Sequence, residues 1–324
     1  MTDSVAAGPR PAAEHRESPL RTYARLGKLD VYDYYLGVFM VLAAVAFPLA
    51  AFTGQDALVL VLFTAGSVGV LMAMVALDDV TGFRDGSDLT NYAPDDRLRA
   101  KARKPLVAGT LTVPQALRFA VASAVGGAAL WTAAVLCAPH RPGWALIAAG
   151  ALFVVSLQYS YGLKLSYHGF QEVFLVALGA VLVIVPHALL TGGFSGFLMT
   201  QALLFGFGPL MFGVYSNTND VAGDRAVGRP TVAALTSERG NAVFIAALCA
   251  TEFLIGALAS ATGAAPVWFV LLMLPATALR THQYRTGFVR GDIMTARRLG
   301  FRVHRLSVVL MVAANVLVGA GVAG

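Results

Sequence analysis

Charge is scarce in this sequence. Only 13% of its 324 residues are Asp, Glu, Lys or Arg, about half the share usual in a soluble domain, while 57% are hydrophobic and the mean hydropathy is +0.68. So few charges cannot clothe a water-exposed surface, which excludes an ordinary soluble protein and puts a membrane protein first. Cysteine is nearly absent. Cys137 and Cys249 both fall in apolar stretches without metal-type spacing, which predicts buried thiols and no disulfide framework. The six histidines form no metal-type cluster. Residues 1–29 lack an apolar core, so they are expected as a disordered basic cytoplasmic tail and not a cleaved signal peptide.

What is abundant is apolar sequence in stretches long enough to cross about 30 Å of hydrocarbon. They fall at 32–53, 57–77, 115–138, 143–162, 170–191, 195–216, 241–261, 265–280 and 303–322. The expected fold is therefore all-α: a polytopic membrane protein with nine transmembrane helices bundled around an apolar cavity over residues 30–324. Small residues such as Gly126–Gly127 and Gly206–Gly208 are expected to let these helices pack closely.

The basic residues orient the bundle. They gather in the N-terminal tail (Arg10, Arg16, Arg21, Arg25, Lys28) and after the second span (Arg84, Arg97, Arg99, Lys101, Arg103, Lys104). More follow the fourth, sixth and eighth spans, at Lys164, at Arg225, Arg229 and Arg239, and from Arg280 to Arg305. The opposite face has short connections and only Arg141. This asymmetry predicts a cytoplasmic N-terminus in a bacterial plasma membrane. It also accounts for most of the +6 net charge, so nucleic acid is excluded as a partner and the lipid bilayer remains.

Two acidic loops stand four spans apart. The first runs Asp78-Asp79-Val-Thr-Gly82-Phe-Arg84-Asp85-Gly86-Ser87-Asp88 and leads to Lys104-Pro105. The second runs Asn219-Asp220-Val-Ala-Gly-Asp224-Arg225-Ala-Val-Gly228-Arg229-Pro-Thr231. Their matching positions suggest a weak internal repeat with a site between the halves. Asp220 and Asp224, four apart, share a face if the helix continues, and Asp85 and Asp88, three apart, can do the same. Carboxylates gathered at one membrane surface repel unless cations lie between them, and Mg²⁺ suits oxygen ligands shared with water and phosphate. Lys104, Lys164 and Arg225 add positive charge suited to a diphosphate. The pattern describes a diphosphate held at the mouth of an apolar cavity. The plainer reading is two solvated loops, which the matched positions disfavour.

These loops resemble those of the UbiA superfamily of intramembrane prenyltransferases. Asn219-Asp220, Asp224-Arg225, Gly228-Arg229 and Thr231 fill the second motif in the style of dihydroxynaphthoate prenyltransferases and chlorophyll synthases. Tyr159-Ser160-Tyr161-Gly162-Leu163-Lys164 and Gly169-Phe170-Gln171-Glu172 are similar to a further family segment. The first loop departs from the pattern: Asp78 replaces an Asn and Gly82 replaces an Asp, with Asp85 as possible compensation. The resemblance covers about residues 30–322. It implies Mg²⁺-assisted departure of diphosphate from an allylic isoprenyl diphosphate, with metal ligands at Asp79, Asp85, Asp88, Asp220 and Asp224. The diphosphate would be bound by Lys104, Lys164, Arg225, Asn219 and Tyr159, and Gly82 would leave room for a ligand. Tyr159 and Tyr161 read either as an aromatic wall for the allylic cation or as interface tyrosines. An aromatic or lipid-like acceptor then takes the prenyl group; alternatively, an internal alkene attacks and the chain cyclises, as in terpene synthases of the superfamily.

Glu252, near the middle of the seventh span, reads as functional or as a protonated group bonded to a neighbouring helix. His187 reads as a packing residue. A transporter is the rival class, but it should place ionisable residues at mid-membrane, where this chain has mainly Glu252.

Overall fold

Backbone placed in hydrocarbon must satisfy its own hydrogen bonds, and a helix does so within one segment. In the computed structural model, which describes residues 18–47, 52–92 and 100–322, every regular element is accordingly helical. The first half comprises α1 Pro19–Leu26, α2 Gly37–Val45, α3 Gly54–Arg84, α4 Ser87–Asn91, α5 Val113–Cys137 and α6 Gly143–Gln158. The second comprises α7 Gln171–Thr191, α8 Gly196–Asn219, α9 Val221–Ala226, α10 Val232–Leu235, α11 Glu238–Ala261, α12 Phe269–Tyr284 and α13 Ile293–Gly319.

Among the described residues six helices are long and apolar enough to cross a membrane: α3, α5, α7, α8, α11 and α13. The other three expected spans fold as shorter pieces. Residues 32–45 break into a 3₁₀ turn, Tyr32–Tyr35, and α2. The 16 residues of α6 reach only about 24 Å at 1.5 Å per residue, and the 16 residues of α12 enclose Arg280. Arg10, Arg16, Arg97 and Arg99, counted in the charge asymmetry, lie outside the described residues.

Close helix pairs are set by missing side chains. A Cβ on Gly127 of α5 would lie 2.8 Å from Val70 N and 2.9 Å from Gly66 O of α3. A Cβ on Gly179 of α7 or Gly206 of α8 would enter the other helix's backbone. Gly126, by contrast, faces open space and makes no such contact. The chain ends of the bundle also meet. Arg305 of α13 donates to both carboxylate oxygens of buried Asp33, at 2.7 and 3.0 Å, and His304 Nε2 lies 3.0 Å from Asp33 O.

The expected disorder of residues 1–29 fails from Ser18 onward, residues 1–17 lying outside the described set. Ser18 caps α1 by accepting from Arg21 N at 3.4 Å, Pro19 begins the helix, and the i,i+4 pair Thr22 and Leu26 is buried. Leu26 joins Ala76, Val80, Leu106 and Ala116 in a small core, and Tyr23 stacks on Phe119. This docking fixes where Lys28 emerges.

Candidate active site

The last turns of α3 carry Asp78 and Asp79. Gly86, at φ +85°, then reverses the chain, a conformation that costs glycine little. The reversal brings α4 back across the end of α3, so the Asp88 carboxylate lies over Gly82. A Cβ at Gly82 would be 2.7 Å from Asp88 Oδ2 and 2.8 Å from its Cγ. The room expected at Gly82 for a ligand is therefore taken by Asp88.

Cations interleave these carboxylates. Lys104 Nζ lies 2.8 Å from Asp79 Oδ1 and 2.8 Å from Asp88 Oδ2. Lys28 Nζ lies 3.3 Å from Asp79 Oδ1 and 3.6 Å from Asp78 Oδ2. Arg229 Nη2 approaches Asp78 Oδ1 at 3.3 Å and donates to the hydroxyls of Ser160 and Ser166 at 3.2 Å each, its guanidinium lying over the Tyr167 ring. Burial alone would depress the pKa of Lys104, but Asp79 and Asp88 more than reverse this and hold its ammonium firmly charged.

Asp85 faces elsewhere. Its Oδ1 accepts from Ser87 N at 3.0 Å and Ser87 Oγ at 2.8 Å, and its Oδ2 accepts from the Tyr167 hydroxyl. Burial raises the Asp85 pKa, but the Tyr167 and Ser87 hydrogen bonds outweigh it and the net shift is downward.

The second loop keeps helical spacing across a break. α8 ends at Asn219, yet Asp224 N still donates to Asp220 O at 2.9 Å, so the two aspartates remain one turn apart. Asp224 Oδ2 accepts from Thr231 Oγ1 at 3.0 Å. The loops touch where Gly223 of α9 meets Asn91 of α4, with no space for a Cβ between them.

A cavity of about 710 Å³ opens between the loops. Asp78, Asp88, Asp220 and Asp224 line it, with Lys28, Lys104 and Arg229 among them and Tyr34, Tyr159, Leu175, Phe212 and Phe301 forming its less polar wall. Of the residues expected from sequence, Asp88, Asp220, Asp224, Lys104 and Tyr159 thus share one chamber. Asp79 is buried behind its lysines. Asp85, Asn219, Lys164 and Arg225 do not line the chamber. Asn219 donates to Asp220 Oδ1 at 3.3 Å, Lys164 Nζ lies over the Tyr167 ring, and Arg225 donates to Ala234 O at 2.9 Å. Tyr161 packs beside the α1 core. Lys28 was missed because it was counted with the tail, although Ser18-Pro19 is a helix-start signal that could have shown the segment docking.

Among the described residues no three His, Cys, Asp or Glu side chains converge as a ready-made metal cage. Mg²⁺ does not require one, since it keeps waters and takes one or two carboxylates plus phosphate oxygens. Asp220 and Asp224 fit that demand. The first-loop carboxylates are already engaged by ammonium and guanidinium groups.

The family model described as the UbiA prenyltransferase family matches residues 37–288. Among curated protein sequences none matches the chain. Among solved structures, the apo form of a UbiA homologue from Aeropyrum pernix K1 is 17% identical, with a TM-score of 0.60 over 93% of this chain and 98% of that one. A UbiA homologue from Archaeoglobus fulgidus bound to DMAPP and Mg²⁺ is 14% identical, with a TM-score of 0.58 over 90% of this chain and 99% of that one. A structure concerning digeranylgeranylglyceryl phosphate synthase is 13% identical, with a TM-score of 0.59 over 92% of this chain and 98% of that one. At these identities the likeness is one of fold.

Proposed function

The chain belongs to the UbiA prenyltransferase family, and we propose that it is a magnesium-dependent intramembrane enzyme that ionises an allylic isoprenyl diphosphate and transfers the prenyl group to an aromatic or lipid-like acceptor. The observation that carries this reading is the single chamber in which carboxylates of both acidic loops, basic side chains and an aromatic wall meet. The ligands of the Archaeoglobus fulgidus homologues, DMAPP in one structure and GPP in another, each with Mg²⁺, support it.

Asp220 and Asp224 would hold the metal, which supplies charge neutralisation to the departing diphosphate. Lys104 and Arg229 orient the phosphate oxygens by charge-assisted hydrogen bonds. Tyr159, stacked on Phe174 with ring centroids 4.6 Å apart, and Tyr34 present ring faces to an allylic cation and exclude water from it. Cyclisation without an acceptor is the alternative fate of the same cation.

Incubating the purified protein with geranyl, farnesyl or geranylgeranyl diphosphate and Mg²⁺ separates the two outcomes. Product only after an aromatic acceptor is added marks a transferase; terpene hydrocarbon without acceptor marks a cyclase. Asp220→Ala and Asp224→Ala should each abolish turnover while the protein remains monodisperse in detergent. Near-normal turnover in either variant would overturn the assignment of the second loop.

A further inference from the structure

We propose that the ammonium groups of Lys28 and Lys104 take the place of a divalent cation at the first acidic loop, so that metal is held by the second loop alone. The inference rests on the reading of the chamber as a magnesium and diphosphate site. Two acidic loops facing one chamber invite a symmetric arrangement with a cation at each, but the first loop's charges are already balanced. Asp78, Asp79 and Asp88 bring three carboxylates; Lys28, Lys104 and Arg229 bring three cations, each within 3.6 Å of at least one of them. A divalent ion entering this set would face three positive charges at close range, in a place where solvent screens them poorly.

The arrangement is built into the fold. Lys104 is 5% exposed and bridges Asp79 to Asp88 through one nitrogen. Asp88 reaches that nitrogen because its carboxylate rests against Gly82, where any side chain would displace it. Lys28 holds φ at +49°, one of two non-glycine residues among those described with positive φ, and such conformations persist where the surroundings enforce them. Here the surroundings are the buried Leu26 on one side and, on the other, an ion pair of 2.8 Å between Asp30 and Arg103. That pair ties the segment carrying Lys28 to the 3₁₀ turn Lys101–Arg103, immediately before Lys104. Both lysines are thus delivered together. Asp79 Oδ2, buried and without a hydrogen-bond partner among the described residues, is the oxygen a metal could use once an ammonium is gone.

The test counts bound metal. Full-length protein in detergent is titrated with Mn²⁺ in the presence of saturating inorganic diphosphate, with free and bound ion distinguished by electron paramagnetic resonance. The wild type should bind one Mn²⁺ per chain, whereas Lys104→Met and Lys28→Met should each bind a second, weaker one. Lys28, with a third of its side chain exposed, provides the milder variant should Lys104→Met fold poorly. Two ions on the wild type, or an unchanged single ion in a folded lysine variant, would overturn the proposal. No ion on the wild type but one on a lysine variant would remove metal from the second loop and leave the lysines' role standing. No ion on any chain would overturn both.

Discussion

Gly82 shows how much an absent side chain can decide. Its position faces the Asp88 carboxylate, and a Cβ there would sit 2.7 Å from Asp88 Oδ2. Restoring a carboxylate by Gly82→Asp would therefore push Asp88 off Lys104 and add negative charge beside Asp79. We expect a loss of about 1–3 kcal/mol from overpacking alone, seen as a lowered Tm in detergent, with Gly82→Ala affected less. An unchanged Tm in Gly82→Asp would refute this packing. The chemistry at this scale was partly legible in the sequence. Asp220 and Asp224 could be paired from spacing because one helical turn relates them, and that relation survives the break after Asn219. Asp85 defeated the same logic. It stands at the end of α3, where the chain turns, and its carboxylate goes to Ser87 and Tyr167. No periodicity announces a partner 82 positions away.

Between helices, the ion pair of α11 with α12 resolves the question posed by Glu252. Arg280 Nε and Nη2 donate to the two Glu252 oxygens at 2.6 and 2.8 Å, and Nη1 donates to Gln283 at 2.6 Å. The bidentate geometry satisfies a carboxylate that sequence alone could show only as out of place. Removing one partner strands the other charge in apolar surroundings, at a cost of about 3–5 kcal/mol. Arg280→Leu should therefore destabilise strongly, and Glu252→Leu combined with Arg280→Leu should recover much of the loss. Thermal unfolding of the three proteins is the measurement, and a double variant no better than Arg280→Leu alone would contradict the pairing. His187 matches its reading as a packing residue: Nδ1 lies 2.9 Å from Gly193 O. Helix contacts were legible in kind but not in register. Gly127 and Gly206 lie at crossings whereas Gly126 faces open space, a distinction that depends on helix rotation.

For the whole molecule, long apolar runs made the helical architecture readable, because length and composition alone govern whether a segment can span. The breaks around α2 and the docking of α1 were not readable, since both depend on packing between segments distant in sequence. Orientation follows from the basic residues and is open to a direct measurement. Ser87 is buried, so the exposed Thr90 of α4 is the better reporter. In a background without Cys137 and Cys249, Thr90→Cys should react with an impermeant thiol reagent only after cells are permeabilised. Ala264→Cys, in the connection between α11 and α12, should react in intact cells. The reverse pattern would invert the bundle. Finally, the clasp of α13 on Asp33 joins residues 272 positions apart. A ribosome delivers Asp33 early and Arg305 almost last, so the nascent protein holds an unmatched carboxylate through most of its synthesis. Phe301, one turn before Arg305 on α13, also lines the chamber. The catalytic chamber is therefore closed by one of the last segments made, and a chain released early carries both acidic loops without the wall that would shield a reactive cation from water.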